Sequence, residues 1–262
     1  MDLNLSGKNA LVCGSSQGIG KAIAIELALL GANVTLFARN EGRLQKALKE
    51  LDVSNGQSHD FLLADFANPE SVKEVIDNSI RLNKYYHILI NNTGGPSPGL
   101  IHQEDPQKFE EAFRQHIVVN QILTQALLPG MKSAQFGRII NVISISVKAP
   151  VAGLGVSNTI RGATASWAKT MANELGQFGI TVNNILPGLT HTGRLDSLIQ
   201  KRAADAGISE SEMATTLESG IPVGRFGKPS EIGALAAFLA SPAAAFINGT
   251  SIRADGGATP SI

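Results

Sequence analysis

Apolar residues along the chain fall into two kinds of run. Short unbroken stretches recur between longer ones in which apolar positions return every three or four residues. Lys8 to Cys13, Asn33 to Ala38, Phe61 to Ala64, His87 to Asn91, Gly137 to Ser144, Gly179 to Leu186 and Thr250 to Arg253 read as strands. The helical spacing covers Lys21 to Leu30, stopped at Gly31 as a C-cap, and Arg43 to Leu51. A third helix opens at Pro69, where a missing N–H costs nothing. Longer ones run over Phe109 to Met131 and Leu154 to Phe178, the second with Ile160, Ala163, Trp167, Met171 and Leu175 on one stripe. A last helix spans Pro229 to Ala240. Strands of this kind alternating with helices predict an α/β fold, a doubly wound parallel sheet in a single domain over residues 1–262. Residues 190–225 are the least periodic and the richest in polar groups, with one helix expected near 209–217. Such an insertion is where a mobile lid would sit.

Composition narrows the partners. Apolar residues are 43% of the 262 and charged ones 17%, enough to bury a large core and too apolar for disorder. Lys plus Arg and Asp plus Glu are 22 each, so no global field invites nucleic acid or an anionic membrane surface. No uncharged apolar run approaches the roughly 20 residues that span a bilayer. What remains is a small-molecule substrate and copies of the same chain, since zero net charge removes one guard against self-association. The single Cys13 excludes a disulfide framework and a thiolate zinc cluster, and no metal is expected. Met1 to Lys8 lacks a basic stretch before an apolar run, so the expected compartment is reducing and cytoplasmic.

The strongest local signal is Gly14-Ser15-Ser16-Gln17-Gly18-Ile19-Gly20 between the first strand and the first helix. Glycines let the chain turn sharply and let a diphosphate approach, while the helix start offers free N–H groups. The spacing Gly-x-x-x-Gly-x-Gly differs from the commoner Gly-x-Gly-x-x-Gly. With Cys13 in place of threonine, it resembles the signature of the short-chain dehydrogenase/reductase family. Further marks follow in order: Asp65-Phe66 after strand three, Asn91-Asn92-Thr93-Gly94 after strand four, Asn120 in the first long helix, and Ser144 after strand five. Pro187-Gly188 and Asp255-Gly256-Gly257 complete the set.

The resemblance implies a Rossmann-type fold and a pyridine dinucleotide. Gly14, Ser16, Gln17, Gly18, Ile19, Gly20, Asp65, Phe66, Asn92, Gly94, Arg161, Pro187, Gly188 and Thr192 would hold it. It also implies a homodimer or homotetramer packed through the two long helices, with Gly256 to Ile262 near another subunit. An acid ending strand two normally holds the ribose 2′-hydroxyl and repels a 2′-phosphate. Here Ala38 stands there, followed by Arg39, which favours NADP over NAD through guanidinium–phosphate bonding. Arg39 also reads as an ordinary solvated loop charge, and Gln17 stands where many NADP-using relatives place a basic residue.

The resemblance fails at one point. Relatives carry Tyr-x-x-x-Lys on the second long helix, but the same register here gives Ser157-Asn158-Thr159-Ile160-Arg161. Ser157 and Arg161, four apart, share a helix face. A tyrosine starts near pKa 10 and is lowered by a neighbouring cation, whereas an aliphatic hydroxyl is a far weaker acid. Arginine keeps its proton, although it can bind ribose hydroxyls and stabilise an oxyanion with Ser144. Losing a positioned general acid costs roughly 10²- to 10⁴-fold. Tyr85 and Tyr86 precede strand four, at the wrong end of the sheet to substitute. His191, His116 and Lys148 are candidates, each also readable as a surface or loop residue.

Two functions follow. The first is an NADP-dependent oxidoreductase of a carbonyl or alcohol, with Ser144, Asn120, Ser157 and Arg161 at its centre and an altered proton donor. The string from Asn91 to Arg161 resembles an atypical branch akin to 3-oxoacyl-(acyl-carrier-protein) reductase, which implies by analogy a 3-oxoacyl-thioester-like substrate. The second is a dinucleotide-binding protein without catalysis, acting as a sensor or partner subunit.

Overall fold

Alternation inside each short apolar run sorts its side chains between two cores. In the first strand (β1, Asn9–Cys13), Ala10 and Val12 enter one core, Leu11 and Cys13 the other. Both faces are covered, which is why the run reads as unbroken. The structure, a computed structural model, describes residues 1–82 and 84–261. After β1 come β2 (Asn33–Ala38), β3 (Asp60–Leu63), β4 (Ile88–Asn91), β5 (Gly137–Val142), β6 (Ile180–Pro187) and β7 (Ser251–Ala254). They form one parallel sheet in the order β3-β2-β1-β4-β5-β6-β7. The winding reverses between β1 and β4, where an open sheet leaves a ligand crevice at its carboxyl ends.

One core lies under α1 (Gly18–Leu29), α2 (Glu41–Leu48) and, from the chain's end, the helix Pro229–Ala240. The other lies under α3 (Pro69–Arg81) and two long helices. The expected helix over Phe109 to Met131 begins earlier and is interrupted. α4 (Pro106–Phe113) passes through a π-helical turn, Arg114–Val118, into α5 (Val119–Ser133). α6 (Gly155–Leu175) ends in a short 3₁₀ turn. α1 begins at Gly18, inside the glycine turn, and strand five stops at Val142, leaving Ser144 on the following loop.

The segment 190–225 is more helical than its sequence predicts. The expected helix is α8 (Glu210–Ser219), but α7 (Gly193–Ala206) precedes it. Leu195, Leu198 and Ile199 of α7 form a small core with Ile221 and Phe226. That narrow apolar stripe, hemmed by Arg194, Asp196, Lys201 and Arg202, hides the period. The helix Pro229–Ala240 is α9. Near the C-terminus, Val223 N donates to Gly256 O and Gly257 meets Pro222, so this stretch folds onto its own chain; Ile262 lies outside the described residues. Among the described residues, no helix is long and apolar enough to cross a membrane.

Candidate functional site

The chain leaves β1 through Gly14 and Gly18, both at φ +59°. A Cβ on Gly14 would stand 2.4 Å from Asn92 O, and one on Gly20 2.3 Å from Gly14 O, so only glycine fits. The crowding is caused by Asn92, whose Nδ2 donates to Cys13 O and Gly14 O at 3.3 Å each. The amide thus ties β4 to β1 across the crevice. Ser15 Oγ accepts from Phe37 N at 2.9 Å and pins the turn to β2. α1 opens with no side-chain cap and no acid in its first turn, which leaves its N–H groups and positive end free. Thr192 Cγ2 lies 3.4 Å from the Cβ position of Gly18, so the β6–α7 loop faces the same turn. Uncapped donors, glycines with no room for a side chain and a facing hydroxyl residue fit a dinucleotide diphosphate. Cys13 is buried, and desolvation pushes its thiol up, so it is no nucleophile.

Beside the turn, Arg39 Nη1 bonds Asp65 Oδ2 at 3.2 Å on the exposed rim. Arg43, which the sequence reading did not single out, donates from Nη1 to Gln17 Oε1 at 2.9 Å. Gln17 therefore carries a guanidinium to the place where a basic residue was missing. The Phe66 ring stands edge-on to Phe37 at 5.1 Å and is committed to the core. Ile19 also packs partly on the core, while Ser16 lies in the turn and Gly94 has open space around it. Gly188 closes against Asp255 Cα, 2.8 Å from its Cβ position, and follows Pro187, the last residue of β6.

The second half of the site lies where the loops after β4, β5 and β6 meet. Ser144 is extended and partly exposed, its Oγ accepting from Ser146 N at 3.1 Å. Ser157 and Arg161 of α6 are buried, as is Asn120 of α5. Arg161 Nη1 donates to Val142 O at 3.2 Å, fastening the guanidinium beneath the strand end that leads to Ser144. It enters none of the seven ion pairs among the described residues, and burial lowers its pKa to about 10, leaving it charged.

His116 departs from its surface reading. The π turn rotates it inward, where it is 2% exposed with Nδ1 2.6 Å from Thr93 Oγ1 and Nε2 unpartnered. Burial, with Arg161 and Arg194 nearby, lowers its pKa to about 2, so the imidazole is neutral. His191 is exposed and packs edge-on against Phe226 at 5.2 Å. Lys148 is exposed. Tyr86 is buried with its hydroxyl 2.9 Å from Ser79, and Tyr85 is exposed before β4, so neither approaches the crevice. Beneath these loops, amides run across neighbouring strands: Asn91 donates to Asn141 and Asn141 to Asn184, each at 2.9 Å, then Asn184 to Ser251 at 3.1 Å. The ladder links β4 to β7 across the sheet, from the carboxyl ends of β4 and β5 through the middle of β6 to the start of β7.

The comparisons with known proteins agree with this geometry. Residues 14–259 match the family model described as enoyl-(acyl carrier protein) reductase. The chain is 33% identical over 255 residues to the 3-oxoacyl-(acyl-carrier-protein) reductase FabG of Vibrio cholerae, covering 97% of this chain and 98% of that one. It is 30% identical to the NADPH-dependent reductase BacG of Bacillus subtilis, over 98% of this chain and 100% of the relative. The L-sorbose reductase of Gluconobacter frateurii, solved with NADPH and L-sorbose, superposes with a TM-score of 0.93 at 31% identity over the whole of both chains. A full-length match in sequence and fold to oxidoreductases places the chain in the short-chain dehydrogenase/reductase family.

Proposed function

We propose that this oxidoreductase reduces a carbonyl group with NADPH and takes the proton from a source other than a tyrosine. The observation that carries the reading is the buried Arg161 guanidinium, in no ion pair among the described residues and tethered at Val142, two residues before Ser144. A cation so placed favours negative charge on an oxygen, which is what a carbonyl acquires on reduction. Ser144 Oγ, on the same loop, supplies a second donor.

The N–H groups of α1 with Gly14, Gly18 and Gly20 bind the diphosphate, and Thr192 covers it. Arg39 and Arg43 take the 2′-phosphate, because the strand-two acid that would repel it is replaced by Ala38. Arg161 holds the ribose hydroxyls and polarises the substrate oxygen with Ser144. NADPH, when bound, supplies the hydride. Ser157 stands where relatives carry tyrosine and is too weak an acid, while Arg161 does not release its proton. His116 is not an imidazolium at neutral pH, so it donates no net proton. Water or the substrate itself protonates the oxygen. Residues 190–225 act as a lid, and the latch from Arg194 Nη2 to Pro96 O at 3.2 Å supports this.

Fluorescence titration with NADPH and NADH, followed by oxidation assays on ketones and 3-oxoacyl thioesters, tests the reading. It expects NADPH to bind at least tenfold more tightly than NADH. It also expects turnover of a carbonyl compound, depressed about 10²-fold in Ser144→Ala. Tight NADPH binding with no turnover across the panel overturns it in favour of a sensor or partner subunit, the reading that Ser157 supports. Full turnover in Ser144→Ala removes the oxygen-polarising role.

A further inference from the structure

Two arginines, not one, face the inner site. Arg194 is the second residue of α7, and its guanidinium lies flat against the loop after β4. A Cβ on Gly95 would stand 2.5 Å from Arg194 Nη1 and 3.0 Å from its Cζ, so glycine is what lets the guanidinium seat there. Among the described residues its one hydrogen bond, Nη2 to Pro96 O, leaves its other N–H groups for a ligand. The loop that receives it is joined to the base of α6 by Gly99 N donating to Gly153 O at 2.8 Å and Gly155 N to Gly99 O at 3.4 Å. Arg194 is exposed, Arg161 is buried, and both act electrostatically on the buried His116.

The seven ion pairs of the described residues engage neither guanidinium. Each cation lowers the pKa of buried His116, and Arg194 lowers that of Arg161. Two positive charges bear on one buried histidine, and among the described residues no carboxylate pairs with either of them. That arrangement costs stability unless a ligand completes it.

We infer that the substrate carries an anionic oxygen group, a carboxylate or a phosphate, which Arg194 grips with the field of Arg161 behind it. The inference rests on the reductase reading and refines it by naming a substrate class. A planar guanidinium with free N–H groups matches either anion in a two-pronged contact, and the rim position admits it from solvent. The reacting carbonyl then lies inward, toward Ser144 and Arg161, with the anion outward at Arg194.

The test uses the full-length protein saturated with NADPH. Malonate, inorganic phosphate and the uncharged dimethyl malonate are titrated separately at constant ionic strength, with NADPH fluorescence and calorimetry as readouts. Saturable binding of malonate or phosphate, at least tenfold tighter than dimethyl malonate, is expected. The stronger of the two anions identifies the group. Arg194→Met is expected to weaken that anion by about tenfold or more while NADPH affinity stays within about threefold. Gly95→Ala displaces the guanidinium without removing its charge and is expected to weaken the anion less. Failure of both anions to bind a protein that does bind NADPH overturns the inference and spares the reductase reading. Unchanged anion affinity in Arg194→Met overturns it too, leaving Arg194 as a latch alone. If NADPH itself does not bind, the reductase reading falls and this one with it.

Discussion

At the β1–α1 turn the groups offered to a ligand are main-chain N–H, brought together because Gly14, Gly18 and Gly20 have no side chains to obstruct them. Around α6 and α7 they are side-chain guanidinium groups, Arg161 and Arg194, which enter no ion pair among the described residues. The first wall is neutral and complete in itself. Its donors are supplied by backbone geometry, and Asn92, bonded to Cys13 and Gly14, packs so close that no side chain fits there. The second wall is charged and incomplete. Shape-based binding tolerates almost no change in bulk, whereas charge-based binding tolerates changes in bulk but not in charge.

The largest effect should follow loss of charge from the second wall. Arg161→Met preserves volume and removes the guanidinium. Carbonyl reduction is expected to fall about 10²- to 10³-fold in kcat. Stability should move by no more than about 1–2 kcal/mol, and upward if the unpaired charge outweighs the bond to Val142 O. Urea unfolding beside the kinetics separates the two; a large drop in stability would show Arg161 to be structural. The corresponding break in the first wall is Gly14→Ala. Its methyl would meet main-chain Asn92 O, which has no room to yield, at a φ that alanine adopts with strain. NADPH affinity is expected to drop about 10²-fold with a loss of about 1–3 kcal/mol in stability. An alanine variant that bound NADPH normally would mean the turn does not carry the diphosphate.

The two walls were unequally visible in the sequence. The first is written in local order: glycines at fixed spacing between an apolar strand and a helix admit few other readings. Buried strands were plain for the same reason, since two covered faces leave unbroken apolar runs. The second wall depends on tertiary events. His116 turns inward only because five residues between α4 and α5 adopt π-helical winding, which nothing in their composition announces. Arg194 matters because α7 docks it on Gly95, and α7 itself was hidden by a stripe of only a few apolar residues among charges. Arg43 was masked by a similar effect, acting through Gln17 and not at the strand end where an NADP-binding charge is sought. The Thr93 hydroxyl beside His116 could have hinted at a partner in the helix opposite.

The pH dependence of stability sharpens the contrast, because the second wall holds a buried histidine. His116 has a folded pKa lowered to about 2, against about 6.5 when unfolded. Below about 6.5 the unfolded chain takes up a proton that the native one refuses, so stability is lost as pH falls. The slope from this residue is about 1.4 kcal/mol per pH unit between pH 6 and pH 4. His116→Asn should flatten the acid limb by that amount while leaving stability at pH 8 nearly unchanged apart from packing. Parallel acid limbs in the two proteins would place the acid sensitivity elsewhere.

The smallest expected effect tests whether the first wall has a charged element of its own. Arg39 and Asp65 form an exposed pair, and such pairs contribute little to stability, about 0–1 kcal/mol. Their consequence lies in what a 2′-phosphate meets. Arg39 shared with Asp65 has fewer free N–H groups for a phosphate, and Asp65 adds a repelling charge at the same rim. Arg39→Ala is therefore expected to cut the preference for NADPH over NADH only about three- to tenfold, with Arg43 retaining the remainder through its place beside Gln17. Asp65→Asn should act in the opposite sense on the phosphate, freeing Arg39 and tightening NADPH by a few-fold. Because Asp65 is also among the residues expected to hold the dinucleotide, NADH affinity should fall in the same variant. The double variant Arg39→Ala with Asp65→Asn resolves the two roles. If the residues act only through their mutual bond, its NADPH preference equals that of Arg39→Ala. If Asp65 repels the phosphate independently, the double variant regains part of the lost preference. The wall built from backbone would then be tuned at its edge by the same currency, unpaired positive charge, that governs the wall opposite.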